Sequence, residues 1–465
     1  MNVHKRAQQL IALLCLAVVA PAALATNGYF ANGYGTRNKG MAGAGVALPQ
    51  DSMAAATNPA GMAFVGARSD LGVAIFSPSP RSYTSSGSSG VPDGTSCGIF
   101  PGGFCPFDVG PQSIESDNDY FLVPHFGYNL SFGNTAMGIS VYGNGGMDTE
   151  YKGGTASLTG PTGTRTTFPG TFGAGNAGIN LSQLFIAPTY ASKFSPTAAW
   201  GVSPIIAYQR FKAFGLGNFA GFSTSPNDLS DKGADSSTGF GVRVGVQGAV
   251  APGLTLAGAY QMKINMSEFD KYKGLFAEGG DFDIPANATV GLAWQVTPTS
   301  HVVFDIRKIW YSKVDSVGNP HSQLATPAAQ CTPGPTGGTG AGCLGGSNGA
   351  GFGWQDVTVY KLGYQWKTGA DYTWRVGLSV GDQPIPDSEV LFNILAPAVS
   401  ETEVSFGFTK AFGKNNALSF AFTHALENSV KGPNPFSPST TPGGGQTIEL
   451  EMKQYDVELS WAWIF

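Results

Sequence analysis

Charge is what this chain has least of. Asp, Glu, Lys and Arg make up 12% of its 465 residues, roughly half the share of ~25% usual in globular domains. After the first 25 positions no run of 18 apolar residues occurs, which excludes a membrane protein built of helices. Histidine is scarce and scattered (His4, His125, His301, His321, His424), so no metal-ligand spacing exists and no metal or cofactor is expected. A Gly-rich phosphate-binding loop ending in Lys-Ser/Thr is also missing, which makes any transport passive or powered elsewhere. With a formal net charge of −5, the chain offers nothing to nucleic acid.

The aromatic and glycine content is high. Sixty-six Gly with so little charge would suit a disordered chain, but 31 Phe, 16 Tyr and 8 Trp argue for a folded one. Residues 1–25 read as a signal peptide: His4, Lys5 and Arg6 precede the apolar run Leu10 to Ala20, and Ala23-Leu24-Ala25 offers a small-residue cleavage site. Its removal takes Lys5 and Arg6 and shifts the net charge from −5 to −7. Four cysteines then remain in two local pairs, Cys97 with Cys105 and Cys331 with Cys343, both in Gly/Pro/Ser-rich segments. In an exported chain two loop-stapling disulfides are expected; zinc is the alternative, without a nearby His to support it.

From Asp70 onward the chain shows period-two runs ending in turn residues. In "QYDVELSWAWIF" the apolar face is Tyr455, Val457, Leu459, Trp461, Trp463 and Phe465, and the other face carries Gln454, Asp456, Glu458 and Ser460. That band matches the 9–11 or so residues a tilted strand needs to cross hydrocarbon. About fourteen such runs are expected, starting near residues 70, 121, 135, 183, 198, 237, 254, 286, 301, 356, 372, 400, 417 and 446. Short turns near 133, 196, 252, 299, 370 and 414 alternate with long loops, the layout of a bacterial outer-membrane barrel. A soluble sandwich needs neither the asymmetry nor an all-apolar terminal face. The fold class is therefore all-β: a 14-stranded antiparallel transmembrane β-barrel.

Two stretches imitate enzyme motifs and fail on context. "GLSVG" (Gly377 to Gly381) lies inside a strand pattern, where a nucleophile elbow needs a strand, a sharp turn and a helix. "GAGCLG" (Gly340 to Gly345) lies in a loop with no strand before it or helix after it. Asp305 and Arg307 alternate onto the inner face and read as polar lumen lining. The segment "RFKAFGLGNFAGF" is more informative. It sets Phe211, Phe214, Leu216, Phe219 and Phe222 where a strand becomes an outer loop, and the next loop adds Leu275, Phe276 and Phe282. So much aromatic surface marks either a binding patch or loops that pack on one another.

With these residues in view, the mature chain resembles the FadL-type outer-membrane transporters of long-chain fatty acids and other hydrophobic compounds. "NGYGTRNKGMAGAGVALPQDSMAAATNPAGMAF" is similar to the family's N-terminal hatch, with Asn58-Pro59-Ala60 standing as its NPA motif. The resemblance implies a hatch over residues 26–69 inside a barrel over 70–465, and a plug of this kind wants small residues and little charge. "ISVYGNGGMDTEYKGG" is similar to the family's third strand, which kinks inward and opens a gap in the wall; Gly143, Gly145 and Gly146 would permit the kink. "TWRVGLSVGDQPIPDSEV" matches near the eleventh strand.

The implied function is passive uptake by lateral diffusion, from a groove between the third and fourth loops, through an apolar pocket, to the outer leaflet. Long-chain fatty acids are the first expectation, with Arg210 and Lys212 near one carboxylate-holding place of the family and Lys313 near the other, though the flanking residues differ. "DIPANATVGLAWQ" and "DIRKIWYSKVDS" are similar to segments of toluene-type members, so uncharged hydrocarbons are the alternative. Expected partners are a hydrophobic small molecule, membrane lipid and lipopolysaccharide, and the barrel assembly machinery through a last strand ending in Phe465; the chain is expected to be a monomer. Competing classes are a general porin, which would have an open lumen, and an outer-membrane lipase, which would need Ser379 to find a His partner such as His424.

Overall fold

The computed structural model describes residues 27–465 apart from 89–106, 161, 326–329 and 438–444. The expected signal peptide and the Cys97/Cys105 pair lie outside the described residues.

Fourteen antiparallel staves close into a cylinder. They are β1 (Arg68–Ser77, resumed at Arg81–Ser86), β2 (Gln112–Glu115, then Phe121–Phe132), β3 (Thr135–Tyr151), β4 (Ala177–Ser195) and β5 (Ala198–Phe214). β6 (Asp235–Ala251), β7 (Leu254–Gln261, then Asn265–Met266), β8 (Asn287–Thr297), β9 (Ser300–Ile309) and β10 (Val357–Thr368) follow. β11 (Tyr372–Gly381), β12 (Thr402–Phe412), β13 (Asn416–Pro433) and β14 (Thr447–Ile464) complete the wall. The seam is β1 on β14, in register from Arg68↔Ile464 to Ser77↔Tyr455. No backbone edge is left open there, as hydrocarbon requires.

Alternation sets the two faces. Ile75, Leu122, Val290, Leu362, Phe406 and Leu459 are exposed on the outside, where lipid covers them. Their neighbours point inward and are polar: Arg243, Asp305, Arg375, Glu403, Asp456 and Glu458 are buried. A small separate sheet of Phe107–Val109, Thr155–Thr159 and Arg165–Pro169 sits among the long loops.

Residues 27–66 lie within the cylinder. They hold one short helix, Thr36–Lys39, and 3-10 turns at Ala54–Ala56 and Pro59–Ala63. Their scarcity of charge gives a misleading picture of how they are held, because the wall supplies the missing charge. Lys39 Nζ reaches Asp456 at 2.8 Å and Glu458 at 2.7 Å on β14. Asp305 of β9 accepts from the amides of Gly45 (2.7 Å) and Val46 (2.9 Å). Asp70 of β1 accepts from the Ser52 amide (2.9 Å) and hydroxyl (2.6 Å). Asp305 thus does more than line a lumen; it holds this segment's backbone.

Asn58 caps the Pro59–Ala63 turn, its side chain accepting from the Ala60 amide at 3.1 Å and donating to the carbonyls of Val46 (2.9 Å) and Val246 (3.3 Å). The small residues serve close approach: a Cβ on Gly377 would stand 2.1 Å from the Met41 carbonyl carbon.

Candidate functional site

The long loops fold over the mouth of the barrel and enclose an apolar cavity of about 520 Å³, open solvent at its mouth included. Phe211 enters it from the inward side of β5. Leu216 and Phe219 come from the 3-10 turn Gly217–Phe222, Phe276 from the β7–β8 loop, and Phe352 and Phe392 from the two loops flanking β10 and β11. The rings interlock: Phe211 lies 4.8 Å from Tyr272 and 4.7 Å from Phe276 between centroids, and Phe219 lies 5.1 Å from Phe392. Among the described residues Ser316 is the one polar member of its lining. The two readings of the aromatic loops coincide, since the loops pack on each other and leave a cavity between them.

Of the residues singled out in sequence, Phe211, Leu216, Phe219 and Phe276 meet in this lining. Phe214 and Phe222 are half-buried beside it, Phe222 packing edge-on against Phe436 at 5.6 Å. The basic residues stand apart. Arg210, Lys212 and Lys313 are exposed, and none belongs to the lining. Strand parity is the reason: on β5, Arg210 and Lys212 share a face with outward Ile206, opposite Phe211. Lys212 instead lies over the Phe214 ring at 4.9 Å. The expected carboxylate clamp is therefore not assembled in this cavity.

Glu389 buttresses the cap. It accepts from the Ser322 amide (3.0 Å), meets His321 Nδ1 at 3.0 Å, and His321 stacks on Phe392 at 4.4 Å. Burial pushes the Glu389 carboxyl up, but the His321 and Ser322 interactions outweigh it and hold the group at about 2. Cys331 and Cys343 are joined by a disulfide that closes the β9–β10 loop over this region.

A second feature lies in the wall. β2 and β3 pair from Phe132↔Thr135 up to His125↔Tyr142 and then part. β3 continues to Tyr151, with β4 as its strand partner throughout, through a bulge between Gly143 and Gly145. Every residue from Val141 to Thr149 is buried, so the outward-inward alternation is lost where the strand leaves the cylinder surface. Contact with the β2 side resumes at Ser116↔Tyr151. The edge released by β2 is taken by the start of the described chain: the Ala31 amide donates to Asn144 O at 3.0 Å and the Gly146 amide to Tyr29 O at 3.0 Å. Gly145 admits this contact, because a Cβ there would lie 1.7 Å from Tyr29 O.

Behind the parting is a smaller cavity of about 330 Å³, open solvent included, lined by Phe76, Pro78, Met147 and Leu395 among others. Leu395 also lines the larger cavity, and its carbonyl accepts from Thr149 Oγ1 of β3 at 2.8 Å. A line of rings joins the same places: Phe276 to Phe282 (4.8 Å), Phe282 to Tyr29 (6.0 Å), Tyr29 to Phe30 (5.3 Å). Sequence reasoning missed Phe352, Phe392, Leu395, Tyr29 and Phe30; the last two carried a signal, being paired aromatics in an otherwise small-residue segment. Ser379 and His424 do not meet. Ser379 is buried and points inward, while His424 lies on the outer face of β13, stacked on Tyr455 at 4.5 Å.

A profile of the family described as "Outer membrane protein transport protein (OMPP1/FadL/TodX)" matches residues 15–455. Among solved structures, a Pseudomonas aeruginosa FadL homologue is similar at 16% identity and TM-score 0.60, covering 94% of this chain and 100% of its own. The P. putida toluene transporter TodX gives 16% and 0.59 over 93% and 99%. The Ralstonia pickettii toluene transporter TbuX gives 16% and 0.56 over the same shares. No curated protein matches the sequence. The chain belongs to the FadL/TodX family of outer-membrane channels for hydrophobic compounds, a family of transporters and not of enzymes.

Proposed function

We propose that the chain takes up small uncharged hydrophobic molecules, with monoaromatic hydrocarbons as the model substrate, by passive lateral diffusion. The solute enters the cavity beneath the loops, passes Leu395 into the second cavity, and leaves through the parting between β2 and β3, which Tyr29 and Phe30 cover. The observation that carries this reading is the lining of the larger cavity, which contains no charged side chain among the described residues. An apolar solute of ~100 Å² gains roughly 2.5 kcal/mol on leaving water for such a lining, and a similar gain awaits it in lipid. In this reading residues 27–66 are a hatch that keeps water out, Gly143, Gly145 and Gly146 allow β3 to bend, and lipopolysaccharide and the assembly machinery, reading the β14 end at Phe465, are the partners outside the channel.

Amphiphilic acids are a second reading, favoured by Arg81. Its buried guanidinium lines the smaller cavity and its Nε has no hydrogen-bond partner there, which offers a carboxylate a mate near the exit. The deciding test is uptake of labelled toluene and labelled oleate by cells that lack such a channel and express this chain. Toluene entry that falls severalfold in Leu395→Trp supports the neutral-solute route. Oleate entry that falls in Arg81→Gln supports the second. Entry of neither above empty cells overturns both.

A further inference from the structure

A polar cavity of about 410 Å³, open solvent included, lies between residues 27–66 and staves β6 to β10. It shares no lining residue with the two apolar cavities. Three cations line it: Arg243, Arg307 and Lys361, exposed to 2%, 6% and 2%. Their hydrogen-bond partners are all neutral. Arg243 donates to Tyr142 Oη (2.8 Å), Gln261 Oε1 (2.5 Å) and the Ala55 carbonyl (3.3 Å). Arg307 donates to the Ala31 carbonyl at 3.3 Å and rests against the rings of Phe30 and Tyr34. Lys361 Nζ donates to the backbone and side-chain oxygens of Asn32.

The acids whose field reaches Lys361 are Asp305 and Glu403. Asp305 is held by the Gly45 and Val46 amides, and Glu403 accepts from Asn32 Nδ2. Lys361 therefore lies in the field of two acids, with Asp305 Oδ1 itself unbonded among the described residues, while Arg243 and Arg307 add two further positive charges to the lining. Donors are also left over: Arg307 Nε, Gln261 Nε2 and Asn287 Nδ2 are buried without a hydrogen-bond partner, and all three side chains line this cavity. Buried cations in excess of the acids around them and buried donors without acceptors are both costly. A wall with surplus donors and positive charge is complementary to an anion with several acceptor oxygens.

We propose that this cavity binds one small oxyanion, inorganic phosphate or a free carboxylate, which neutralises Arg243, Arg307 and Lys361 and ties the hatch, through Asn32, to the wall. The proposal stands independently of the transport route. The test is equilibrium dialysis of the purified full chain in detergent against labelled inorganic phosphate and, separately, labelled acetate. One equivalent of phosphate or acetate per chain is expected. Arg307→Gln and Lys361→Met are expected to weaken binding at least tenfold while the barrel keeps its heat-modifiable gel mobility.

Because those variants disturb the hatch as well, Asn287→Ala provides a milder check. It removes a donor that bonds nothing else, and about threefold weaker binding is expected with the hatch in place. Displacement of phosphate by decanoate at lower concentration than by acetate supports the site and identifies the anion as an amphiphile's headgroup. No binding of either anion, or equal binding in the wild type and all three variants, overturns the proposal and leaves the cavity to water.

Discussion

The two halves of the lumen are filled by different physics. Toward the short turns, residues 27–66, the proposed hatch, are fastened by directional bonds: Lys39 between Asp456 and Glu458, Asp305 on the Gly45 and Val46 amides, Asn129 Nδ2 on the Met62 (3.1 Å) and Gly66 (2.7 Å) carbonyls. Toward the long loops, the cap is held by rings around Phe211, Phe219, Phe276 and Phe392. Directional bonds fix one geometry and fail abruptly when a partner is lost. Ring packing is less particular about position and tolerates an apolar guest. One barrel thus carries a floor held mainly by directional bonds and a roof packed mainly by rings, the latter pinned by the Glu389–His321 pair and one disulfide.

The contrast is broken most severely at the floor. Lys39→Met leaves Asp456 and Glu458 buried without their cation, at a cost of roughly 3–5 kcal/mol. The hatch is expected to lose its seat, and steady conductance should appear in planar bilayers where the wild type stays closed; a closed variant would mean the seat does not depend on this pair. At the roof, Phe211→Ala removes a ring packed on Tyr272 and Phe276, costing about 3 kcal/mol. Hydrogen exchange should quicken in loops 215–234 and 270–285 and stay unchanged in residues 27–66. Faster exchange in both would erase the distinction between the halves.

A pH titration sharpens it further. The Glu389 carboxyl in the folded loop sits at about 2, below its ordinary 4.5. A depressed carboxylate contributes its stabilisation fully above the unfolded value and loses it as pH falls through the folded one. The cap should therefore loosen between about pH 4.5 and 2, read by the fluorescence of Trp354, whose indole donates to Asn393 Oδ1 at 2.6 Å. Glu389→Gln should flatten that response. The smallest effects belong to Arg210→Ala, Lys212→Ala and Lys313→Ala. All three side chains are exposed, so stability should move by under about 0.5 kcal/mol and toluene uptake should not change measurably.

Most staves were legible because a wall with lipid on one side and polar groups on the other must alternate. β10 and β12, with Tyr360, Leu362 and Phe406 outward, begin within two residues of where the pattern places them, at Val357 and Thr402 against 356 and 400. β4 starts at Ala177 instead of near 183, since its first residues rise above the hydrocarbon and have no reason to alternate in polarity. The stretch after Gly143 carries no period-two alternation and is nevertheless strand to Tyr151, because burial of both faces erases that signal. The separation of Arg210 and Lys212 from the lining follows from parity, which the sequence itself contains: Phe211 and Lys212 are consecutive on a strand and face opposite sides of the wall. Lys39 and its carboxylates, 417 positions away at Asp456, had no sequence signal linking them.

The same Lys39 contact bears on how the cylinder is made. The hatch grips β14 through Asp456 and Glu458, while its Ser52 is held by Asp70 on β1, the stave that zips onto β14 from Arg68↔Ile464 to Ser77↔Tyr455. The internal segment therefore spans the join between the first and last strands. It works as a clasp across that join, adding side-chain bonds from inside to the backbone ladder that closes the wall.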